Sequence, residues 1–174
     1  MNNLMSSFDF ATRTIYIRGD IELGTCEIID KALIAFRSDG SPPIAISISS
    51  RGGSVSAGLH VCDLFNLYKG KKIAFVSGKA SSMAAIILQV CDVRICTPHA
   101  EILIHGTTQQ LSYDIYNSKR RMKRFERTVR KLQQATEAIL SKRTGLSVKK
   151  LRSLYDRRLS AQEALKYHLI DQIL

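Results

Sequence analysis

The sequence predicts an α/β fold with a mostly parallel sheet and one long projecting helix over about residues 113–142. Three observations lead to this prediction. Short apolar runs alternate with helical patterns through the first hundred residues, which is typical of βαβ units. Several of these runs are almost continuously apolar, as strands covered by helices on both faces are. Beyond residue 112 the pattern changes to a single charged helical stretch without Gly or Pro.

The individual elements can be assigned in order along the chain. A strand at Thr14–Ile17 is followed by a helix over Thr25–Phe36, for which Thr25 is a suitable N-cap. The run Ile44–Ser49 alternates as a strand does, and a glycine turn leads from it into a helix over Val55–Leu67. The other predicted elements are a strand at Ile73–Ser77 that stops at Gly78, a helix at Met83–Val90, strands around Val93–Cys96 and Ile102–Ile104, and short helices at Val148–Leu154 and Ala161–Tyr167.

The long helix carries a narrow stripe of uncharged, mostly apolar residues, here called the seam, on an otherwise charged surface. A helix of ~30 residues is ~45 Å long, which exceeds what a compact domain of this size can cover, so part of it is expected to project. A projecting seam is typical of an assembly surface. The seam residues recur at alternating spacings of three and four, and Gly145 ends the pattern: Ile115, Ser118, Met122, Phe125, Val129, Leu132, Thr136 and Ile139.

Composition places the chain among ordinary globular proteins. Its 174 residues form one domain, 45% hydrophobic and 24% charged. No apolar run approaches the ~20 residues that span a bilayer, and the first residues lack the pattern of a secretory signal. The four cysteines have no framework or zinc-ligand spacing, so they are expected to be buried, reduced thiols in a cytoplasmic protein. No metal or cofactor is expected.

The net charge is unusual. Lys and Arg exceed Asp and Glu by 26 to 15, giving +11, and much of the excess lies between Lys119 and Arg158. Nucleic-acid binding is therefore a rival interpretation. The chain has no Trp, no zinc-finger spacing and no aromatic residues interleaved with glycine as in an RNA-binding sheet. A solvated basic face is the preferred interpretation, and nucleic acid is not expected as a partner.

The segment from Gly78 to Ala85 places Ser81 and Ser82 where a predicted strand turns into a helix. Unpaired N–H groups and the positive end of the helix dipole can stabilise a developing oxyanion at such a point. Small residues on both sides let a substrate backbone approach. The structural alternative is that one of the two serines only caps the helix.

Four segments, in this order, resemble the Clp protease proteolytic subunit (ClpP) family. The resemblance runs from about Thr14 to Leu174, and it implies the ClpP/crotonase-like fold. The chain departs from the family at Leu154 and Tyr155, where the family usually has Glu-Arg. The four segments are Ser49–Gly58 (SSRGGSVSAG), Gly78–Met83 (GKASSM), Ile102–His105 (ILIH) and Asp156–Ala164 (DRRLSAQEA), the last followed by Tyr167–Asp171 (YHLID).

The resemblance implies a catalytic triad. Ser82, directly before the methionine, matches the nucleophile, His105 the general base and Asp156 the acid that orients the imidazole. A serine hydroxyl needs such a base, because it is a poor nucleophile until its proton is removed. The backbone N–H groups of Gly53 and Met83 match the oxyanion hole. A glycine at 53 leaves room for a substrate carbonyl to approach that amide.

The resemblance also implies an assembly. The expected protein is a serine endopeptidase subunit that assembles with identical copies into a homo-oligomer, a heptameric ring. Stacking of two such rings would give a tetradecamer. An AAA+ unfoldase would deliver unfolded polypeptides, and peptide hydrolysis itself would need no ATP and no membrane. The expected organisation is a short N-terminal segment (1–13) and one peptidase domain (14–174), divided into head (14–110), handle (111–145) and C-terminal head segment (146–174).

The sequence leaves two other functional interpretations open. The first is a catalytically weak or inactive ring scaffold associated with nucleic acid, which the +11 charge favours. The second is an acyl-CoA enzyme of the crotonase type, since that fold is related. Acyl-CoA hydratases need acidic catalytic residues where this chain offers Ser82 and His105, so the second alternative is the weaker one.

Overall fold

The computed structural model describes residues 5–108 and 112–174, and within them it contains eight strands and seven helices. The strands are β1 (Ser7–Asp9), β2 (Thr14–Ile21), β3 (Ile44–Gly53), β4 (Lys72–Ser81), β5 (Val93–Cys96), β6 (Glu101–Leu103), β7 (Arg158–Ser160) and β8 (Gln172–Ile173). The helices are α1 (Leu23–Ser38), α2 (Val55–Leu67), α3 (Met83–Leu88), α4 (Tyr113–Tyr116), α5 (Lys119–Thr144), α6 (Val148–Arg152) and α7 (Ala161–Lys166).

The strands form one mixed, mostly parallel sheet, as predicted. Its order is β1-β2-β3-β4-β5-β8, and the pairs from β2 through to β8 are all parallel. Among the described strands, the antiparallel pairs are β1 with β2 and β6 with β7. Side chains at alternate positions of β3, namely Ile44, Ile46 and Ile48, are fully buried in the core. Burial of apolar side chains supplies the main driving force for this arrangement.

Strand β4 does not stop at Gly78 as the sequence predicted. It continues to Ser81 because it changes partners along its length. Ile73 to Val76 pair with β5, whereas Lys79 to Ser81 pair with β6. The change of partner carries β4 to the edge of the sheet where helix α3 begins.

The first helix also begins earlier than predicted. Helix α1 starts at Leu23, so Glu22 is its N-cap and Thr25 is the third residue of the helix rather than the cap. The two side chains form a reciprocal capping box: Glu22 accepts from the Thr25 backbone, and the Thr25 hydroxyl accepts from the Glu22 N–H at 3.3 Å. This is the usual capping box with the two residue types exchanged. Ahead of α1, strand β1 lies in the short N-terminal segment (1–13), for which the sequence predicts no strand or helix.

The predicted single helix over 113–142 is instead two helices. The first, α4, ends at Tyr116, and α5 begins after Ser118, whose hydroxyl accepts from the Arg121 N–H at 3.4 Å. Serine competes with helical hydrogen bonding and favours N-caps, so Ser118 starts a new helix rather than continuing the seam. Gly145, in the left-handed region at φ 73°, ends α5 as expected. The predicted head–handle boundary at residues 110–111 lies outside the described residues.

Helix α5 is buried only at its C-terminal half. Its fully buried residues are Thr136, Glu137, Leu140 and Thr144, whereas residues 119–135 contribute none. That first half carries eight Lys and Arg against one Glu over residues 119–131. The half-buried seam residues Met122, Phe125, Val129 and Leu132 lie along it. Part of the helix therefore extends beyond the core, as the sequence predicted.

A buried guanidinium ties the C-terminal strand to the sheet. Arg94 of β5 is 2% exposed, and its Nε and one terminal nitrogen donate to the two carboxylate oxygens of Asp171 at 3.0 and 2.6 Å. Its other terminal nitrogen donates to the His168 carbonyl at 2.9 Å. Burial alone would raise the pKa of Asp171, but the hydrogen bonds and charge of Arg94 outweigh it and hold that pKa below its usual value.

The four cysteines, Cys26, Cys62, Cys91 and Cys96, are free and buried, as predicted. Burial raises the pKa of Cys91 and of Cys96 to about 12. These thiols are therefore held in the unreactive protonated form. Separately, none of the helices in the described part of the chain is both long and apolar enough to cross a membrane.

Candidate active site

Ser82 lies at the junction between β4 and α3. Its backbone has φ 54° and ψ −124°, a conformation that non-glycine residues rarely adopt and that costs on the order of 1–3 kcal/mol. The Ser82 N–H donates to the Leu103 carbonyl of β6 at 2.8 Å, which holds the junction in place. Ser82 occupies the N-cap position of α3, yet its hydroxyl makes no capping hydrogen bond. The alternative of a purely capping Ser82 is therefore not supported, and strain of this kind clusters at functional sites.

One cavity brings four of the five predicted site residues together. Ser82, His105, Gly53 and Met83 all line it, as does Thr136 of α5. Met83 is the first residue of α3, so its N–H has no acceptor within the helix. Ser82, His105 and the two predicted oxyanion-hole residues thus line the same cavity.

The imidazole of His105 is held by its own backbone. Its Nδ1 lies 2.6 Å from the carbonyl oxygen of Gly106. A carbonyl can only accept a hydrogen bond, so this contact places a proton on Nδ1. In the neutral ring Nε2 is then unprotonated, which is the tautomer that a general base requires.

Asp156 lies next to His105 but does not bind it. Its N–H donates to the Ile104 carbonyl at 2.9 Å, while its side chain is exposed outside the cavity. The antiparallel register of β6 and β7 pairs Leu103 with Arg158. If this register is continued by two residues, His105 lies opposite Asp156. Within residues 5–108 and 112–174, no hydrogen bond joins His105 to either Ser82 or Asp156.

Two consecutive glycines, Gly52 and Gly53, lie in crowded backbone surroundings near the nucleophile. A Cβ on Gly52 (φ 96°) would lie 2.6 Å from the Ser81 carbonyl oxygen, 2.7 Å from the Ser82 Cβ and 2.9 Å from the Met83 nitrogen. A Cβ on Gly53 would instead meet the backbone of Ile21 in β2. Gly52 is therefore the glycine that packs against the serine, and Gly53 is required by the neighbouring strand.

We predict that Gly52→Ala lowers peptidase activity by at least about 100-fold, because the new methyl group displaces the backbone of Ser81–Met83. The matched control is Gly40→Ala, which has a similar positive φ of 78° but nothing within 4 Å of the added Cβ. The control should lower stability by about 1 kcal/mol and leave kcat unchanged. Thermal unfolding and kcat measured on both variants separate the two effects, and equal kcat values would contradict the prediction.

Sequence reasoning missed a polar cluster behind His105. The Gln133 side chain accepts from the Thr107 N–H, and its Nε2 donates to Glu137 at 2.8 Å and to the Tyr155 hydroxyl at 2.9 Å. Arg152 completes the cluster by donating from Nε to Glu137 at 2.8 Å. The signal in the sequence was the spacing of Gln133 and Glu137, which places a glutamine and a glutamate on one helix face at i and i+4.

The cluster has a defined protonation state. The hydrogen bonds from Arg152 hold the pKa of Glu137 below its usual value. Burial, followed by the hydrogen bond to Glu137, raises the pKa of Tyr155 to about 12. Glu137 is thus an ionised acceptor and Tyr155 a protonated donor near neutral pH. Among the described residues, no group of three or more His, Cys, Asp or Glu side chains is placed to hold a metal ion.

Comparison with known proteins assigns the family. The Clp protease family model matches residues 2–174, nearly the whole chain. The chain belongs to the Clp protease family. The ATP-dependent Clp protease proteolytic subunit 2 of Prochlorococcus marinus is 31% identical over 173 residues, covering 94% of this chain and 83% of the relative. Subunit 3 of a Synechococcus species is 30% identical over 171 residues, covering 93% and 82%.

The fold agrees with this assignment. A point mutant of ClpP1 from Listeria monocytogenes superposes with a TM-score of 0.82 at 24% identity, covering 95% of this chain and 92% of that one. At this identity the superposition speaks for the fold alone. Membership in the Clp protease family makes the chain a protease subunit of the ClpP type, and it confirms the family and fold predicted from the four sequence segments.

Proposed function

We propose that this chain is a serine endopeptidase subunit in which Ser82 is the nucleophile, His105 the general base and Asp156 the acidic residue that stabilises the protonated imidazole. The observation that carries the proposal is the shared cavity. Ser82 and His105 line it together with the predicted oxyanion-hole residues Gly53 and Met83, and the strained backbone at Ser82 leaves its hydroxyl uncommitted to helix capping.

The reaction would proceed by acyl transfer. Oγ of Ser82 attacks the substrate carbonyl as its proton passes to Nε2 of His105, and the N–H groups of Gly53 and Met83 stabilise the resulting oxyanion. The imidazolium returns that proton to the leaving amine, which breaks the peptide bond and forms an acyl-enzyme. Water then attacks the ester with His105 as base, releasing the carboxylic acid and restoring Ser82. No step consumes ATP, and none requires a cofactor.

Asp156 is assigned its role because it lies opposite His105 when the β6–β7 register is continued by two residues. Its carboxylate is exposed and makes no hydrogen bond to another described residue, so it is free to turn toward the ring. A carboxylate beside an imidazolium lowers the free energy of the charged state that forms during attack. The alternative of a crotonase-type acyl-CoA enzyme has no comparable support, because Asp156 lies outside the cavity.

The proposal extends to assembly. The relatives are named proteolytic subunits of ATP-dependent Clp proteases, and we place this chain likewise in a heptameric ring that takes polypeptides from an AAA+ unfoldase. The half-buried seam on the first half of α5 supports a contact between copies, either within one ring or between two rings. The free, buried cysteines support a reducing compartment such as the cytoplasm.

The test is covalent labelling with a fluorophosphonate probe, followed by peptide mapping. We expect one adduct per chain, located on Ser82 and not on the adjacent Ser81, because Ser82 lines the cavity together with His105 and Ser81 does not. Heat-denatured protein is the control and should not react. Folded, assembled protein that takes up no probe would overturn the proposal in favour of an inactive scaffold, and filter binding of nucleic acid to the basic half of α5 would then be measured.

A further inference from the structure

A buried carboxylate organises the polar cluster behind the cavity. The side chain of Glu137 is 4% exposed, and it accepts hydrogen bonds from three different residues. Arg152 donates from Nε and a terminal nitrogen at 2.8 and 3.1 Å, the Tyr155 hydroxyl donates at 3.0 Å, and Gln133 donates from Nε2 at 2.8 Å. A buried carboxylate with this many donors is a rigid anchor, since rearranging any one of them would leave it undersatisfied.

The anchor fixes the orientation of the Gln133 amide. The Nε2 group has two hydrogens, and both are used, one toward Glu137 and one toward Tyr155. The amide cannot turn over without placing its carbonyl oxygen against the carboxylate. Its Oε1 therefore points to the Thr107 N–H, with which it forms a hydrogen bond.

One peptide unit links Gln133 to the catalytic base. The N–H of Thr107 and the carbonyl of Gly106 belong to the same peptide, and they point in opposite directions because the bond is trans. The N–H is held by Gln133, and the carbonyl accepts from Nδ1 of His105 at 2.6 Å. Rotating this peptide would break both hydrogen bonds at once.

We propose that Gln133 is a positioning residue for His105: by holding the Gly106–Thr107 peptide, it presents the carbonyl that keeps the imidazole oriented and Nε2 unprotonated. The inference rests on the proposed function. Gln133 touches neither substrate nor reacting atoms, and it acts through the peptide alone. Tyr155 serves the same purpose one step further away, because its hydroxyl accepts from the Gln133 amide, and Tyr155 directly precedes Asp156 in the sequence. The cluster thus joins the loop that carries His105 to the segment that carries Asp156.

The principal variant is Gln133→Met, which keeps the length of the side chain but removes its hydrogen bonds. We expect kcat for a short fluorogenic peptide to fall about tenfold while KM changes less than about twofold, because the substrate-contacting surface is unchanged. The matched control is Gln134→Met, on the adjacent exposed glutamine, which should behave as wild type. Tyr155→Phe removes one of the two bonds that orient the amide, and it should give a smaller loss of kcat in the same direction.

A second readout does not depend on activity. In protein labelled with 15N-histidine, the resonance of His105, assigned by its loss in His105→Gln, should report the Nδ1-protonated tautomer in wild type. In Gln133→Met it should report a mixture of the two tautomers, with Gln134→Met unchanged. Wild-type tautomer populations or wild-type kcat in Gln133→Met would overturn the proposal. Failure of wild type to label at Ser82 would instead refute the proposed function, and the two failures are therefore distinguishable.

Discussion

Ser82→Ala is expected to abolish peptide hydrolysis, with kcat falling by about 10⁴-fold or more. In the proposed mechanism the hydroxyl oxygen attacks the substrate, and among the predicted site residues that line the cavity only Ser82 carries a hydroxyl group. The substitution removes one oxygen and leaves the β4–α3 junction intact, since that oxygen makes no capping hydrogen bond. Hydrolysis of a fluorogenic peptide, followed with thermal unfolding, measures both effects.

Ser81→Ala is the matched control, because Ser81 is the preceding residue and the last one of β4. It should retain activity within a few fold of wild type. The Ser82→Ala protein also defines the background from any host protease that copurifies, since it passes through the same purification. Substantial activity in Ser82→Ala together with a loss in Ser81→Ala would show that the nucleophile has been assigned to the wrong serine.

His105→Gln should have an effect of the same order, about 10⁴-fold in kcat. Glutamine can approximate the volume and one hydrogen bond of the imidazole, but it cannot take the proton of Ser82. The probe-labelling rate should fall in parallel with kcat, because the same proton transfer activates Ser82 toward both reagents. Measurement of both rates on the folded variant checks this expectation.

The double variant Ser82→Ala/His105→Gln supplies the sharper test. Residues that act as one unit are strongly non-additive, so the double variant should be no slower than the slower single variant. Independent contributions would instead multiply. A multiplied loss would mean that His105 supports substrate binding or folding rather than the activation of Ser82. His168→Gln is a suitable control, because its ring lies outside the cavity.

Most of the fold could be predicted because hydrophobic periodicity and glycine positions determine it locally. The alternation of Ile44, Ile46 and Ile48 identified β3, and the limits of α2 agree with those predicted. The error in β4 occurred because a distant strand decides where β4 ends. Strand β4 runs past Gly78 because β6, more than twenty residues later, pairs with its end. The sequence around Gly78 contains no sign of that pairing.

The helix boundaries that were missed have local causes. Glu22 and Thr25 form a capping box in which the usual residue types are exchanged, so the sequence pattern predicts Thr25 rather than Glu22 as the cap. Ser118 fits the helical seam by spacing, but its extended backbone and its hydrogen bond from the Arg121 N–H make it the N-cap of α5. Polar residues that suit both a helix face and a cap cannot be assigned from spacing.

The candidate site was partly predictable. The strand-to-helix serine and the oxyanion-hole residues lie in sequence motifs, and the structure brings Ser82, His105, Gly53 and Met83 to one cavity. Sequence motifs do not show side-chain contacts, however. A side-chain rotamer decides whether Nδ1 of His105 donates its hydrogen bond to the Gly106 carbonyl or to the Asp156 carboxylate. The cluster around Glu137 joins three separate helical and loop segments, which only the folded chain brings together.

The pairing of Arg94 with Asp171 has a consequence for how the protein is made. The two residues are 77 positions apart, and β8 adds to β5 only once residues 171–173 exist. During synthesis on the ribosome, a chain that already contains the first five strands would carry a guanidinium whose carboxylate has not yet been translated. Burying that charge alone is costly, so this part of the sheet should stay open until translation passes residue 173.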